Sequence, residues 1–250
     1  GFLNHCEFPG RMPMKMFFIE TKANVNVEFP AALAKKLPSR LCLAASVQFS
    51  HQLPQLQQFL EKNGKETSLL KARHSKHLGQ ILGCGYSKME FDAANTDAFL
   101  YIGDGMFHPE ALLLGSDKDV YCFDPFSKDF RKLGREWAEK IRKKEKGALL
   151  TFLHSDNIGV VVTVKPGQLG VQVTLKNIFS LPQKFPGKKF YYLVCDTIDF
   201  TQLRNFPFVQ CFVNTACNRM IDDYDKFPKP VINIEEVLKV AKAEKIEAHA

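Results

Sequence analysis

Short runs of apolar, β-branched and aromatic residues recur at 16–20, 41–49, 98–102, 120–123, 148–153, 160–164, 190–194 and 209–213, separated by stretches with helical spacing. Runs this short suit strands, and their alternation with helical patterns is the signature of βα units around a mostly parallel sheet. The expected fold is α/β, with two similar doubly wound domains. The segment "HQLPQLQQFLEKNG" puts Leu53, Leu56, Phe59 and Leu60 on one face, with Pro54 near its start and Gly64 at its end, and reads as an amphipathic helix. The last helix is expected to open with Asn233 and Glu236 as a capping box, followed by Val237, Leu238 and Ala241 at core spacing.

The chain repeats itself at domain scale. A strand, a glutamine-bearing loop, a helix, more strand and a loop cysteine run from Arg40 to Cys84, and again from Ile158 to Cys217. Gln48 and Gln168 would start equivalent loops and the two cysteines end equivalent units. Such loops lie at the carboxyl edges of parallel strands, where open α/β sheets bind ligands. The domain boundary is expected in 128–134, giving a central domain over 14–130 and a C-terminal domain over 131–250, with 1–13 as the tail of something earlier.

A length of 250 residues and 45% hydrophobic content supply a real core. No run of about eighteen apolar residues and no leader pattern can be read, so the expectation is a soluble cytoplasmic protein without a membrane partner. The start at Gly1 suggests processing or a fragment. Basic residues outnumber acidic ones, 34 to 27, for a net charge of +7. Much of the excess falls in "RKLGREWAEKIRKKEK" (131–146), where Leu133, Trp137 and Ile141 recur at helical spacing. This reads as the solvated face of an amphipathic helix, not as a direct nucleic-acid surface.

Seven cysteines at wide, irregular spacing do not make a disulfide framework in a leaderless chain. Cys42, Cys122, Cys195 and Cys211 lie inside apolar runs and read as packing residues. Cys84 lies between Gly83 and Gly85, and Cys217 follows Asn214, Thr215 and Ala216 and precedes Arg219. Small neighbours admit something bulky close to the sulfur, so these two are ligand candidates; Cys6, in "NHCEFPG", is a third. His74, His77 and Cys84 lie close together, but the paired Cys-x-x-Cys spacing of structural zinc is absent. No cysteine has an evident base, which weighs against a thiol nucleophile. Thiolates supplied singly from separate domains suit an iron-sulfur cluster.

Five stretches in order, "GQILGCGYS" (79–87), "FLYIGDGMFHPEALLL" (99–114), "FDPFS" (123–127), "VKPGQ" (164–168) and "FVNTACNRMIDDYDKFPKPVINIEE" (212–236), resemble the diphthamide-synthesis family. Its archaeal members are 3-amino-3-carboxypropyl transferases. The resemblance implies a [4Fe-4S] cluster that cleaves S-adenosylmethionine and delivers a 3-amino-3-carboxypropyl radical to a histidine of translation elongation factor 2, with an external electron donor. It also implies three similar domains, each lending one cysteine. Cys84 and Cys217 are then cluster ligands, and Gln168 and Arg219 bind the substrate's amino-acid end or balance charge. Arg219 could equally form a salt bridge to Asp222 or Asp223. "GDGMFHPEA" reads chiefly as domain packing, with Gly103 and Gly105 in a turn and His108 and Pro109 opening a helix.

Two departures stand out. Asn218 occupies the position where the family usually has proline. The family's first domain, with its cysteine, is not represented, and "LNHCEFPGRMP" resembles the end of that domain. The expectation is therefore a homo-oligomer, or a heterodimer with a related subunit, in which this chain is an incomplete transferase. The alternative is a noncatalytic scaffold or electron-entry subunit. An unrelated doubly wound binding protein with inert loop thiols is a third reading.

Overall fold

The computed structural model describes residues 19–72, 75–83, 89–116, 118–164 and 175–247. They form two compact units, one within Lys15–Lys140 and one from Ile141 onward.

The first unit contains α1 (Ala31–Ala34), β1 (Arg40–Ala45), α2 (Leu53–Lys62), β2 (Glu66–Leu69), β3 (Lys71–Ala72), β4 (Met89–Glu90), β5 (Ala98–Ile102), α3 (Phe107–Leu114), β6 (Asp119–Phe123) and β7 (Phe130–Leu133). Its main sheet has the order β2-β1-β5-β6-β7, parallel except for β7, which returns antiparallel along β6. Strands β1 and β5 are buried on both faces, which is why "RLCLAA" and "AFLYI" are continuous apolar runs and do not alternate. One face packs Leu41, Leu43 and Phe29 against Leu53, Leu56 and Leu60 of α2. The other packs Phe99 and Tyr101 against Leu112 and Leu113 of α3. Each large side chain so buried contributes roughly 1.5–3 kcal/mol of transfer free energy. Helix α2 has Pro54 in its first turn, and the chain leaves it through Gly64 at φ +76°, a conformation that costs glycine nothing.

Helix α4 (Arg135–His154) begins in the first unit, where Ala138 is buried, and ends in the second, where Ala148 and Phe152 are. The second unit continues with β8 (Asn157–Thr163), α5 (Leu175–Phe179), α6 (Leu181–Lys184), β9 (Lys189–Cys195), β10 (Cys211–Asn214), β11 (Val231–Asn233) and α7 (Ile234–Glu247). Its sheet, ordered β11-β10-β8-β9, is parallel throughout. Ile158, Val160 and Val213 face Phe152, Ile178 and Val237 on one side; Val161 and Phe212 face Leu203 and Phe227 on the other. Among the described residues no helix is long and apolar enough to cross a membrane.

The two parallel arrangements share one plan. The first strand (β1, β8) is central, the second (β2, β9) lies on one side, the third (β5, β10) on the other, and the fourth (β6, β11) beyond it. The repeat read from sequence is therefore present as topology, and Gln48 follows β1 as expected, whereas Gln168 lies outside the described residues. The cysteines do not end equivalent units, however. Position 84 falls between the second and third strands in chain order, whereas Cys217 follows the third.

Several local expectations are corrected. Residues 148–153 are the last turns of α4, not a strand: Ala148 and Phe152 are buried at i, i+4 spacing while Leu150 is half-exposed. The basic segment 131–146 is not one helix, because 131–133 belong to β7 and the helix starts at Arg135. Trp137 is exposed, since the neighbouring Ala138 takes the buried position. Strand β1 stops at Ala45, where the chain turns toward α2. Residues 16–18 lie outside the described residues.

Candidate metal centre

Strand β10 ends at Asn214 on the carboxyl edge of the second unit's sheet. The chain turns through Thr215 and Ala216 to Cys217, which stands at the start of a 3-10 stretch, Asn218–Lys226, with φ −58° and ψ 127°. Thr215 is wholly buried, and its N–H and Oγ1 both donate to the Val161 carbonyl of β8, at 3.2 and 2.9 Å. The Ala216 N–H donates to Asn214 Oδ1 at 3.0 Å. Asn214 Nδ2 donates to the Cys217 carbonyl at 2.9 Å and to Asn233 Oδ1 at 2.8 Å. Asn233 Nδ2 in turn donates to the Asn218 carbonyl at 2.8 Å. The backbone around Cys217 is thus fixed from β8, β10 and β11, while Cys217 itself is half-buried.

Arg219 is 3% exposed, and its Nε and Nη2 reach Asp222 Oδ2 at 2.7 and 2.6 Å. Of the two roles read for Arg219, the ion pair with Asp222 is present; Asp223 pairs with Lys226 instead, at 2.8 Å. A permanently charged guanidinium two residues from Cys217 favours negative charge in this loop.

The remaining thiols differ. Burial pushes the Cys42 thiol up to about 11 and those of Cys122 and Cys211 up to about 12, so they stay protonated and behave as packing groups. Cys195, at the end of edge strand β9, is only half-buried, because nothing pairs with the outer side of that strand among the described residues. Its thiol is also raised, by burial and then by Asp196.

Cys84, Gln168, Cys6 and His74 lie outside the described residues. His77 Nε2 pairs with Glu20 at 2.8 Å, and this contact, with Lys76, holds the Glu20 carboxyl below its usual range. His108 is in the first turn of α3 beside Tyr101, with ring centroids 6.2 Å apart, after a turn in which Gly103 has φ +152° and Gly105 φ +66°.

Among the described residues no three His, Cys, Asp or Glu side chains converge to hold a metal. Cys217 fits the part of a single soft ligand: a half-buried sulfur on a rigid loop, flanked by small residues, with positive charge nearby. Such a site suits one corner of a metal cluster whose other ligands come from elsewhere, and does not suit a self-contained zinc site.

Asn214 and Asn233 were not identified from sequence as part of this site. Asn233 was expected to cap α7; its amide is used instead to hold the Cys217 loop. The available signal was that "CFVN" and "VIN", both strand-like, end in asparagine.

The family profile described as "Putative diphthamide synthesis protein" matches residues 4–249. The chain is 32% identical over 239 residues to the 2-(3-amino-3-carboxypropyl)histidine synthase of Pyrococcus horikoshii, covering 91% of this chain and 66% of the relative. It is 32% identical over 203 residues to 2-(3-amino-3-carboxypropyl)histidine synthase subunit 1 of Caenorhabditis elegans, covering 77% and 48%. The crystal structure of Dph2 from Pyrococcus horikoshii with a 4Fe-4S cluster matches with a TM-score of 0.70 at 28% identity, over 88% of this chain and 64% of that one. The chain thus spans no more than about two thirds of the relatives it matches.

Proposed function

The chain belongs to the diphthamide synthesis family, and from this we propose that it takes part in the first step of diphthamide formation, transfer of a 3-amino-3-carboxypropyl group from S-adenosylmethionine to a histidine of translation elongation factor 2. Cys217 and Cys84 are the thiols this chain would lend to a [4Fe-4S] cluster. The observation that carries the reading is the Cys217 loop, a half-buried sulfur on backbone anchored to three strands at the carboxyl edge of a parallel sheet. A structural neighbour in the same family, solved with a 4Fe-4S cluster, supports it.

The bound cluster would supply the electron that cleaves the sulfonium. The chain's own residues have simpler tasks. Cys217 presents its sulfur from a loop that does not need to reorganise. Arg219 offsets negative charge, whether of thiolates or of the substrate carboxylate, and Asp222 fixes its orientation. Gln168, which follows strand β8 in sequence, would hydrogen-bond the substrate's amino-acid end. A donor external to the chain would supply the electron.

A second reading, a noncatalytic scaffold or electron-entry subunit, draws on the relatives named as subunit 1 of a synthase, which implies a multi-subunit assembly. The test adds the anaerobically reconstituted chain, dithionite and S-adenosylmethionine labelled in its aminocarboxypropyl group to elongation factor 2. Labelling of the factor that disappears in Cys217→Ser is the catalytic result. Iron bound without any transfer points to the second reading, and a chain that neither binds iron nor transfers label contradicts both.

A further inference from the structure

Asn214 and Asn233 are register partners on adjacent parallel strands, the last residues of β10 and β11, and they are 1% and 4% exposed. Their amide orientations are dictated by their neighbours. The Ala216 N–H can only donate, so Asn214 Oδ1 must face it, which turns Asn214 Nδ2 toward the Cys217 carbonyl and Asn233 Oδ1. Asn233 then has its Nδ2 toward the Asn218 carbonyl. Two side chains from two strands thereby grip the carbonyls of the two consecutive peptide groups that flank Asn218, the first of which is the Cys217–Asn218 peptide.

We propose that Asn214 and Asn233 are positioning residues, a two-amide clamp that sets the direction of the Cys217 sulfur. The inference rests on the reading of Cys217 as a cluster ligand and adds what aims it. A family loop with proline at position 218 would be stiffened by its ring, whereas Asn218 supplies no such restraint. The clamp supplies it by hydrogen bonds that add a side-chain donor to carbonyls already in the 3-10 ladder, the Cys217 carbonyl also accepting from the Met220 N–H at 3.0 Å, so that a lost amide frees the loop's direction without unfolding it. Groups that orient a metal ligand without touching the metal commonly affect metal retention by about tenfold or more.

The test compares the full chain carrying Asn233→Asp, which keeps the acceptor for Asn214 but loses the donor to Asn218, with Thr215→Val, which removes a buried bond to Val161 in the same loop but no contact with either clamped carbonyl. The first readout needs no cluster: the rate of iodoacetamide modification of Cys217 in the apo chain, followed by mass spectrometry with Cys195 as internal reference. Asn233→Asp is expected to change the Cys217 rate by about fivefold to tenfold, leaving Cys195 unchanged, and Thr215→Val to change it by less than about twofold. In reconstituted protein, the same variant is expected to shift the low-temperature EPR signal of the reduced cluster and to release iron to a chelator about tenfold faster. An unchanged Cys217 rate in Asn233→Asp, or an equal change in Thr215→Val, overturns the clamp. If Asn233→Asp does not fold, Asn233→Ser, whose hydroxyl is too short to reach the Asn218 carbonyl, is read by the same criteria. Wild-type iron in Cys217→Ser overturns the ligand reading on which the clamp rests; iron lost in Cys217→Ser with Asn233→Asp unaffected overturns the clamp alone.

Discussion

Arg219 Nη2 lies 2.6 Å from Asp222 Oδ2, and the arginine side chain is 1% exposed while the aspartate is 28% exposed. The guanidinium is thus buried against a partly wet counter-ion. Removing that carboxylate withdraws charge compensation from a buried cation, which costs more than the pair itself contributes. Asp222→Asn is expected to lower stability by about 2 kcal/mol, because solvent near the aspartate softens the full buried-pair penalty of roughly 3–5 kcal/mol. The double variant Arg219→Met with Asp222→Asn should recover part of that loss. Urea unfolding measures both; a double variant less stable than Asp222→Asn contradicts this account.

The thiols of Cys42, Cys122 and Cys211 are raised from 9.0 to about 11, about 12 and about 12, with burial the main cause. The folded state holds these protons more tightly than the unfolded chain. Their contribution to stability is therefore complete below about pH 9 and is lost as pH rises toward the folded values, at about 1.4 kcal/mol per pH unit for each thiol. Replacing Cys122 by alanine should lower stability at pH 7 yet flatten its decline between pH 9 and 10.5. Equal slopes in wild type and variant would contradict the assignment.

The parallel sheets were legible because their central strands are buried on both faces: β5 coincides with the run at 98–102 and β8 overlaps that at 160–164, while the half-exposed edge strand β9 overlaps the aromatic and β-branched run at 190–194. The run at 148–153 misled because a few consecutive apolar residues look the same in a buried strand and at the end of a helix, and only the exposure of Leu150 separates the two. Within the candidate site, Cys217 and Arg219 were visible as residue types beside small neighbours. Asn214 and Asn233 were not, because what joins them is the register of two strands whose ends are nineteen residues apart in sequence. Local rules read Asn233 as a helix cap, and tertiary pairing took its amide for another purpose.

Gly83, next to Cys84, is buried, and a Cβ there would lie 2.0–2.6 Å from ring atoms of Phe107, the first residue of α3. Phe107 is 45% exposed, so its ring can swing outward. Gly83→Ala is expected to cost about 1–3 kcal/mol, and most of that cost should vanish in a Phe107→Ala background. Thermal melts of the four proteins in this cycle give the coupling; simple additivity would contradict the close approach.

Direct evidence on the cluster comes from iron content and the low-temperature EPR spectrum after anaerobic reconstitution of wild type, Cys84→Ser, Cys217→Ser and, as a control, Cys211→Ser. The expected result is that Cys84→Ser and Cys217→Ser each lose iron and change or abolish the signal of the reduced cluster, while Cys211→Ser, whose sulfur is buried in the core, keeps the wild-type spectrum in whatever fraction folds. Wild-type iron and an unchanged spectrum in both Cys84→Ser and Cys217→Ser would contradict the proposal that this chain lends thiolates to a [4Fe-4S] cluster.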